Sequence, residues 1–94
     1  MMWQVKFSEQ AVQYLRKTDR EVKKYILAGI LKASQNPLAH PSGYGKPLGK
    51  KRGMNLIGFY KIKYKSIGIR VIYTLAMQER VMNIITIGVR DDEY

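Results

Sequence analysis

Three apolar segments rich in β-branched residues fill the C-terminal half of the chain and restrict the folds that it can adopt. They span residues 56–65, 69–75 and 81–87, and the gaps between them are of turn length. Gaps this short allow antiparallel pairing, whereas a parallel pair needs a crossover of roughly a dozen residues or more. The sequence therefore predicts an antiparallel three-stranded meander.

The N-terminal half predicts a strand followed by a helical hairpin. Residues 3–7 alternate between apolar and polar side chains, as in a half-buried strand. A short helix is predicted from Ser8 to Thr18, and Thr18–Glu21 fits a capping box that begins a second helix. That helix must end before Asn36-Pro37, because the residue before a proline avoids helical geometry. Its predicted buried stripe consists of Val22, Tyr25, Ile26, Gly29, Ile30 and Ala33.

A proline- and glycine-rich stretch separates the two halves. Residues 37–55 contain all three prolines, and this composition predicts a loop. The expected order is then strand, helix, helix and three strands, in a single domain that spans residues 1–94. We expect an α+β fold in which the two-helix hairpin packs on one face of a small antiparallel sheet.

Cysteine and long apolar runs are both absent from the sequence. No segment approaches the roughly 18 apolar residues that a membrane-spanning helix needs, and residues 1–7 lack the features of a secretory signal. Without cysteine the chain has no disulfide, no thiolate nucleophile and no cysteine-based zinc site. We therefore expect a cytoplasmic protein that does not engage a membrane.

Charge is the most informative property of the composition. Seventeen Lys and Arg stand against seven Asp and Glu, which gives a formal net charge of +10. No carboxylate occurs between Glu21 and Glu79, whereas eleven Lys or Arg fall in that interval. Solvated surfaces usually mix both signs. The distribution therefore indicates a polyanionic partner, either a phosphate backbone or an acidic protein.

Lysines alternate with apolar residues in the first C-terminal segment. In the second segment Arg70 lies between two apolar residues and therefore points to the opposite face from them. If both apolar sets face the core, Tyr64 lies across from Ile69, and the same register places Lys63 across from Arg70. Neighbouring cations repel one another unless an anion lies over them, so this outward face is a candidate phosphate-binding surface. Alternatively, these lysines, which are Lys61, Lys63 and Lys65, protect a strand edge from aggregation.

The last segment could add an arginine to this basic face. Arg90 has the parity of Ile84 and Thr86, and it joins the basic face if Thr86 faces outward. Gly88 either lets a ligand approach closely or forms a β-bulge. The sequence leaves both alternatives open.

A cluster of lysine and arginine is suited to cleaving RNA through its own 2′-hydroxyl. That reaction needs a base, charge stabilisation on the phosphate and an acid for the leaving oxygen. His40 is the only histidine, which excludes a two-histidine mechanism, and the scattered acids do not form a metal site. Lysine can be the base where nearby positive charge and partial burial lower its pKa, and arginine forks onto phosphate oxygens. We therefore expect no metal and no cofactor.

The segments Tyr60–Tyr64, Gly68–Tyr73 and Ile87–Asp92 resemble the RelE branch of the RelE/ParE toxin superfamily, and weaker similarity covers nearly the whole chain. The resemblance implies a toxin of a type II toxin-antitoxin system. It further implies a ribosome-dependent endoribonuclease that enters the vacant A site and cuts mRNA. An acidic antitoxin is the implied partner, and operator DNA is implied only through that antitoxin.

The resemblance also assigns roles to individual residues. It implies an active site formed by Lys61, Lys63, Arg70 and Arg90. Relatives carry a further tyrosine shortly after the acidic tail, and here Tyr94 either takes its place or belongs to a shorter tail. Other basic residues are expected to bind the RNA or the ribosome, those of the loop by gripping ribosomal RNA backbone. They are Lys46, Lys50, Lys51, Arg52 and Lys65.

Two other functions stay open. One is a ParE-like inhibitor of DNA gyrase on the same fold, although such relatives generally lack the paired lysines and the outward arginines. The other is a non-catalytic RNA-binding module, which would keep its affinity when Lys63 and Arg90 are replaced by alanine.

Overall fold

The structure is a computed structural model that describes residues 2–51 and 54–89, with side chains at all of these positions except 50, 51, 54 and 55. Both predicted helices form, and the α+β class is confirmed. No helix in the described ranges is long and apolar enough to cross a membrane. The elements are β1 (Gln4–Phe7), α1 (Glu9–Lys17), α2 (Arg20–Ser34), β2 (Lys46–Lys51), β3 (Met54–Tyr64), β4 (Ile69–Ala76) and β5 (Val81–Val89).

The strands form one five-stranded sheet in the order β1-β5-β4-β3-β2. The predicted meander is confirmed, because β3 pairs antiparallel with β4 and β4 pairs antiparallel with β5. The expectation of a wholly antiparallel sheet was wrong, since β1 pairs parallel with β5. Alternation in residues 3–7 predicts that a strand forms there, but it carries no information about the direction of the neighbouring strand.

The prediction of a loop over residues 37–55 was also wrong in part, because β2 lies within it and pairs antiparallel with β3. Its sequence hides the strand, since Pro47 cannot donate a backbone hydrogen bond and Gly49 adopts a positive φ of 64°. Both residues are tolerated because β2 is an edge strand. The pairing shifts register between them, as expected of an irregular edge.

The helix boundaries follow local capping interactions. Ser8 is the N-cap of α1, and its side chain accepts a hydrogen bond from the Ala11 N–H in the first turn. The predicted capping box at Thr18 was wrong: Asp19 is the N-cap of α2, and its carboxylate accepts a hydrogen bond from the Glu21 amide at 3.1 Å. Thr18 instead closes α1, where its hydroxyl donates to the Tyr14 carbonyl oxygen at 2.6 Å. Aspartate is at least as good an N-cap as threonine.

The core lies between the helices and one face of the sheet, and two buried tyrosines join the layers. The Tyr64 hydroxyl donates to the Ile26 carbonyl oxygen at 2.7 Å, and the Tyr73 hydroxyl donates to the Pro37 carbonyl oxygen at 2.8 Å. Burial raises the pKa of both tyrosines well above the usual range, so both stay protonated donors. Tyr25 was expected in the buried stripe of α2 but is 51% exposed, and its ring makes a T-shaped contact with that of Tyr64.

The N-terminal turn of α1 continues the pairing of β5 beyond the end of β1. The last residue of β5 that pairs with β1 is Ile84. The Ser8 hydroxyl then donates to the Ile85 carbonyl oxygen at 2.7 Å. The Gln10 amide group pairs with both backbone groups of Ile87, donating to its carbonyl oxygen at 2.9 Å and accepting from its N–H at 3.0 Å. The side chains of Ser8 and Gln10 therefore make the hydrogen bonds to β5 that a longer β1 would otherwise make.

A β-bulge in the same stretch of β5 changes which residues face the core. Tyr73 pairs with Ile84, whereas the preceding residue, Ile72, pairs with Thr86. The extra residue in β5 interrupts the alternation. As a result, Ile84 is buried in the core, while Thr86 is exposed on the opposite face.

We predict that Gln10→Leu destabilises the fold by about 1–3 kcal/mol, because it removes the partners of a backbone donor and a backbone acceptor. Urea unfolding gives the free energy, and hydrogen exchange at the Ile87 amide reports the local effect. Gln13→Leu, at an exposed position of the same helix, is the control. Equal free energies of unfolding for the two variants would contradict the prediction.

Candidate functional site

The outward face of the sheet, which is the face opposite the helices, carries the predicted basic residues in cross-strand rows. In the first row, Lys63 of β3 pairs with Arg70 of β4, and Arg70 pairs with Gly88 of β5. The predicted register is confirmed, including Tyr64 across from Ile69 on the core face. Directly opposite residues have Cβ atoms roughly 4.5–5.5 Å apart, so the two partly buried cations are close neighbours.

The second row lies one pleat away along the same strands. Lys46 of β2 pairs with Lys61 of β3, Lys61 pairs with Ile72, and Ile72 pairs with Thr86. Lys61 is only 7% exposed, whereas Lys46 is exposed. Burial of Lys61 was not predicted, because the alternation of the sequence shows only the face on which a residue lies. The edge strand that covers it was itself missed.

The end of β5 leaves space over the first row. Gly88 pairs in register with Arg70, so the bulge alternative for Gly88 was wrong, and the bulge lies three residues earlier at Ile85. A Cβ atom added at Gly88 would meet no other atom within 4 Å. Thr86 faces outward, which is the condition that the sequence set for Arg90 to join this face.

The other predicted site residues are not among the described residues of these two rows. Lys65 follows β3 directly and is exposed. The predictions for Arg52, Arg90 and Tyr94 lie outside the described residues, and the side chains of Lys50 and Lys51 lie outside the description as well. The described part of the candidate site therefore comprises Lys46, Lys61, Lys63, Lys65 and Arg70.

A groove of about 730 Å³ adjoins these residues, between α2 and the part of β3 that extends past the end of β2. Lys32 of α2 and Tyr44, which precedes β2, line this groove, and the Lys32 Nζ lies 5.6 Å from the centre of the Tyr44 ring. Sequence reasoning missed both residues. No periodicity links a helix residue to a loop residue, because their contact depends on how the hairpin packs. The groove is also lined by Lys46, Lys61, Lys63 and Lys65.

The charge of the outward face favours an anionic ligand. Strands β2 to β5 contain no acidic residue within the described ranges. Lys63 is partly buried and can contact a phosphate oxygen, and the buried Lys61, two residues away and so separated by roughly 6.5–7 Å, adds positive charge in the next row. Arg70, opposite Lys63, can donate a forked pair of hydrogen bonds. The arrangement can bind a phosphodiester and stabilise additional negative charge on it.

The sequence of this chain is similar to those of known proteins. The sequence model for the ParE toxin of type II toxin-antitoxin systems, parDE, matches residues 5–94. A RelE-like toxin protein of Escherichia coli is 28% identical over 91 residues, which cover 97% of this chain and 86% of that protein. The family match thus includes every described element of the sheet except the first residue of β1.

Solved structures show the same fold. The isolated RelE toxin of E. coli matches with a TM-score of 0.72 at 25% identity, over 95% of this chain and 85% of that chain. The RelBE2 toxin-antitoxin complex of Mycobacterium tuberculosis matches with a TM-score of 0.75 at 20% identity, over 96% of this chain and 100% of that chain. On the strength of the match over residues 5–94, this chain belongs to the RelE/ParE family of type II toxin-antitoxin toxins.

Proposed function

We propose that this toxin is an endoribonuclease that cleaves mRNA on the ribosome without a metal or a cofactor, and thereby stops translation. The observation that carries the proposal is the cross-strand pair of Lys63 and Arg70, with Lys61 in the next row. These cations lie on an outward face whose strands contain no acid within the described ranges. A sheet that brings like charges together loses stability, and a bound phosphate offsets that loss.

The chemistry follows from the positions of these groups. Lys63, assisted by Lys61, takes the proton of the 2′-hydroxyl, and the oxygen attacks the adjacent phosphorus. Arg70 stabilises the negative charge that develops on the phosphate oxygens. The bond from phosphorus to the 5′-oxygen then breaks, and the leaving oxygen takes up a proton. Arg90 is assigned either to that protonation or to charge stabilisation, and Tyr94 to stacking on a base of the substrate.

The remaining basic residues and the net charge support the proposed partners. Lys46 and Lys65 are exposed beside the site and suit contacts to RNA backbone. A role in binding RNA or the ribosome is also proposed for Lys50, Lys51 and Arg52. With a net charge of +10, the chain suits an acidic antitoxin, through which alone it would reach operator DNA. Structures similar to this one include the intact E. coli RelBE toxin-antitoxin complex. We place this system in the cytoplasm, away from membranes.

We predict that Lys63→Gln lowers the rate of mRNA cleavage by about 10²–10⁴-fold, because it removes the proposed base. The folded state should keep its stability or gain on the order of 0.2–1 kcal/mol, because repulsion with Arg70 is relieved. Primer extension on mRNA from a translating extract measures cleavage, and thermal unfolding measures stability. Lys6→Gln, an exposed change on β1, is the matched control. Cleavage at the wild-type rate by Lys63→Gln would refute its assignment as the base.

Inhibition of DNA gyrase is the second candidate function, because the family model that matches is that of the ParE toxin. We predict that expression of the wild-type toxin produces mRNA ends in phase with codons and leaves DNA intact. Mapping RNA ends and gyrase-linked DNA breaks in the same cells separates the two functions. Breaks in DNA with intact mRNA would overturn the nuclease proposal. If neither product forms and overexpression leaves growth unaffected, the non-catalytic RNA-binding alternative is favoured.

A further inference from the structure

The groove between α2 and β3 begins where the sheet loses its edge strand. The pairing of β2 with β3 stops at Lys46 and Lys61, so Ile62–Tyr64 have no strand on their outer side within the described sheet. The groove of about 730 Å³ occupies this position. Because Lys61 and Lys63 line both the groove and the proposed active site, a ligand bound across the site has a continuous path into the groove.

Charge along the groove is of one sign. Lys32 on α2, Lys46 at the start of β2 and Lys65 after β3 are exposed lysines that line it, together with Lys61 and Lys63. None of the described residues that line the groove is acidic. A groove lined by positive charge attracts the phosphates of a nucleic acid strand and can bind its backbone along the groove.

Two aromatic rings are available in the same groove. Tyr44 is 50% exposed and Tyr25 is 51% exposed, and both rings also contact other side chains. The Lys32 Nζ lies over the Tyr44 ring, and the centres of the Tyr25 and Tyr64 rings are 5.7 Å apart. Lysines that contact successive phosphates, combined with exposed rings on which bases stack, are typical of single-strand binding. An acidic peptide would use the lysines but would leave the exposed faces of both rings unused.

We propose that this groove binds the single-stranded RNA that flanks the cleaved phosphodiester, with phosphates on Lys32 and Lys65 and a base on Tyr44. The proposal rests on the proposed nuclease function, since it extends the substrate beyond the bond that is cut. It makes the groove a binding site that determines affinity for the RNA, while the chemistry stays with Lys61, Lys63 and Arg70.

A binding experiment tests the groove without any cleavage. The probe is a short 2′-O-methyl oligonucleotide, which lacks the attacking hydroxyl, and fluorescence anisotropy measures its affinity over a range of salt concentrations. The test variant is Lys32→Glu with Lys65→Glu. The control is Lys6→Glu with Arg20→Glu, which makes the same change in net charge at exposed positions outside the groove. Thermal unfolding verifies that both double variants are folded.

We expect the groove variant to bind the oligonucleotide at least about tenfold more weakly than the control variant. Its slope of log affinity against log salt should fall by about 1.4, because each lost phosphate contact on a single strand contributes about 0.7. Tyr44→Ala should weaken binding about fivefold or more, whereas Tyr44→Phe should restore it, because stacking needs the ring and not the hydroxyl. Equal affinities for the groove and control variants would overturn the proposal.

A second arm uses an oligoglutamate peptide as the competing ligand. If the groove variant loses affinity for the peptide and keeps it for the oligonucleotide, the groove holds an acidic protein segment and the RNA proposal is wrong. The wild-type protein is also tested for mRNA cleavage. Intact mRNA together with groove-dependent oligonucleotide binding would contradict the nuclease function and support the groove, so the two proposals fail separately.

Discussion

The register between β3 and β4 is the constraint on which both the core and the candidate site depend. Tyr64 lies across from Ile69 and Ile62 across from Val71, and these residues pack against the helices. A slip of one residue would move each side chain to the other face of its strand. Lys63 would then enter the core, where an unpaired charge costs several kcal/mol. The packing of apolar residues on one face therefore holds cations together on the other.

Two hydroxyl groups make this register specific rather than merely apolar. Tyr64 and Tyr73 each donate to a backbone carbonyl oxygen, on α2 and just after it, and both acceptors lie more than 30 residues away along the chain. A slipped register would leave these hydroxyl groups buried without partners, at a cost of about 1–3 kcal/mol each. The repulsion between neighbouring cations is on the order of 0.2–1 kcal/mol per pair. The core can therefore enforce an arrangement that the outward face alone would not adopt.

The sequence predicted the features that depend on local patterns. The helices follow from apolar residues at helical spacing, the meander and the neighbourhood of Lys63 and Arg70 follow from period-two alternation and short turns, and the structure confirms them. It could not predict β2, whose proline and glycine are typical of a loop, and whose pairing depends on the free edge of β3. The parallel pairing of β1 and the contact of Lys32 with Tyr44 depend on tertiary packing, which leaves no local pattern.

The bulge in β5 shows how a side chain can change a prediction based on parity. Uninterrupted alternation places Ile84 and Thr86 on the same face, but the structure places them on opposite faces. An extra residue in a strand leaves backbone groups without partners, and here the Ser8 hydroxyl satisfies the Ile85 carbonyl group. Gln10 then holds Ile87 in the position of a paired strand residue. The start of α1 thus fixes the end of β5, and with it the outward face beside Arg70.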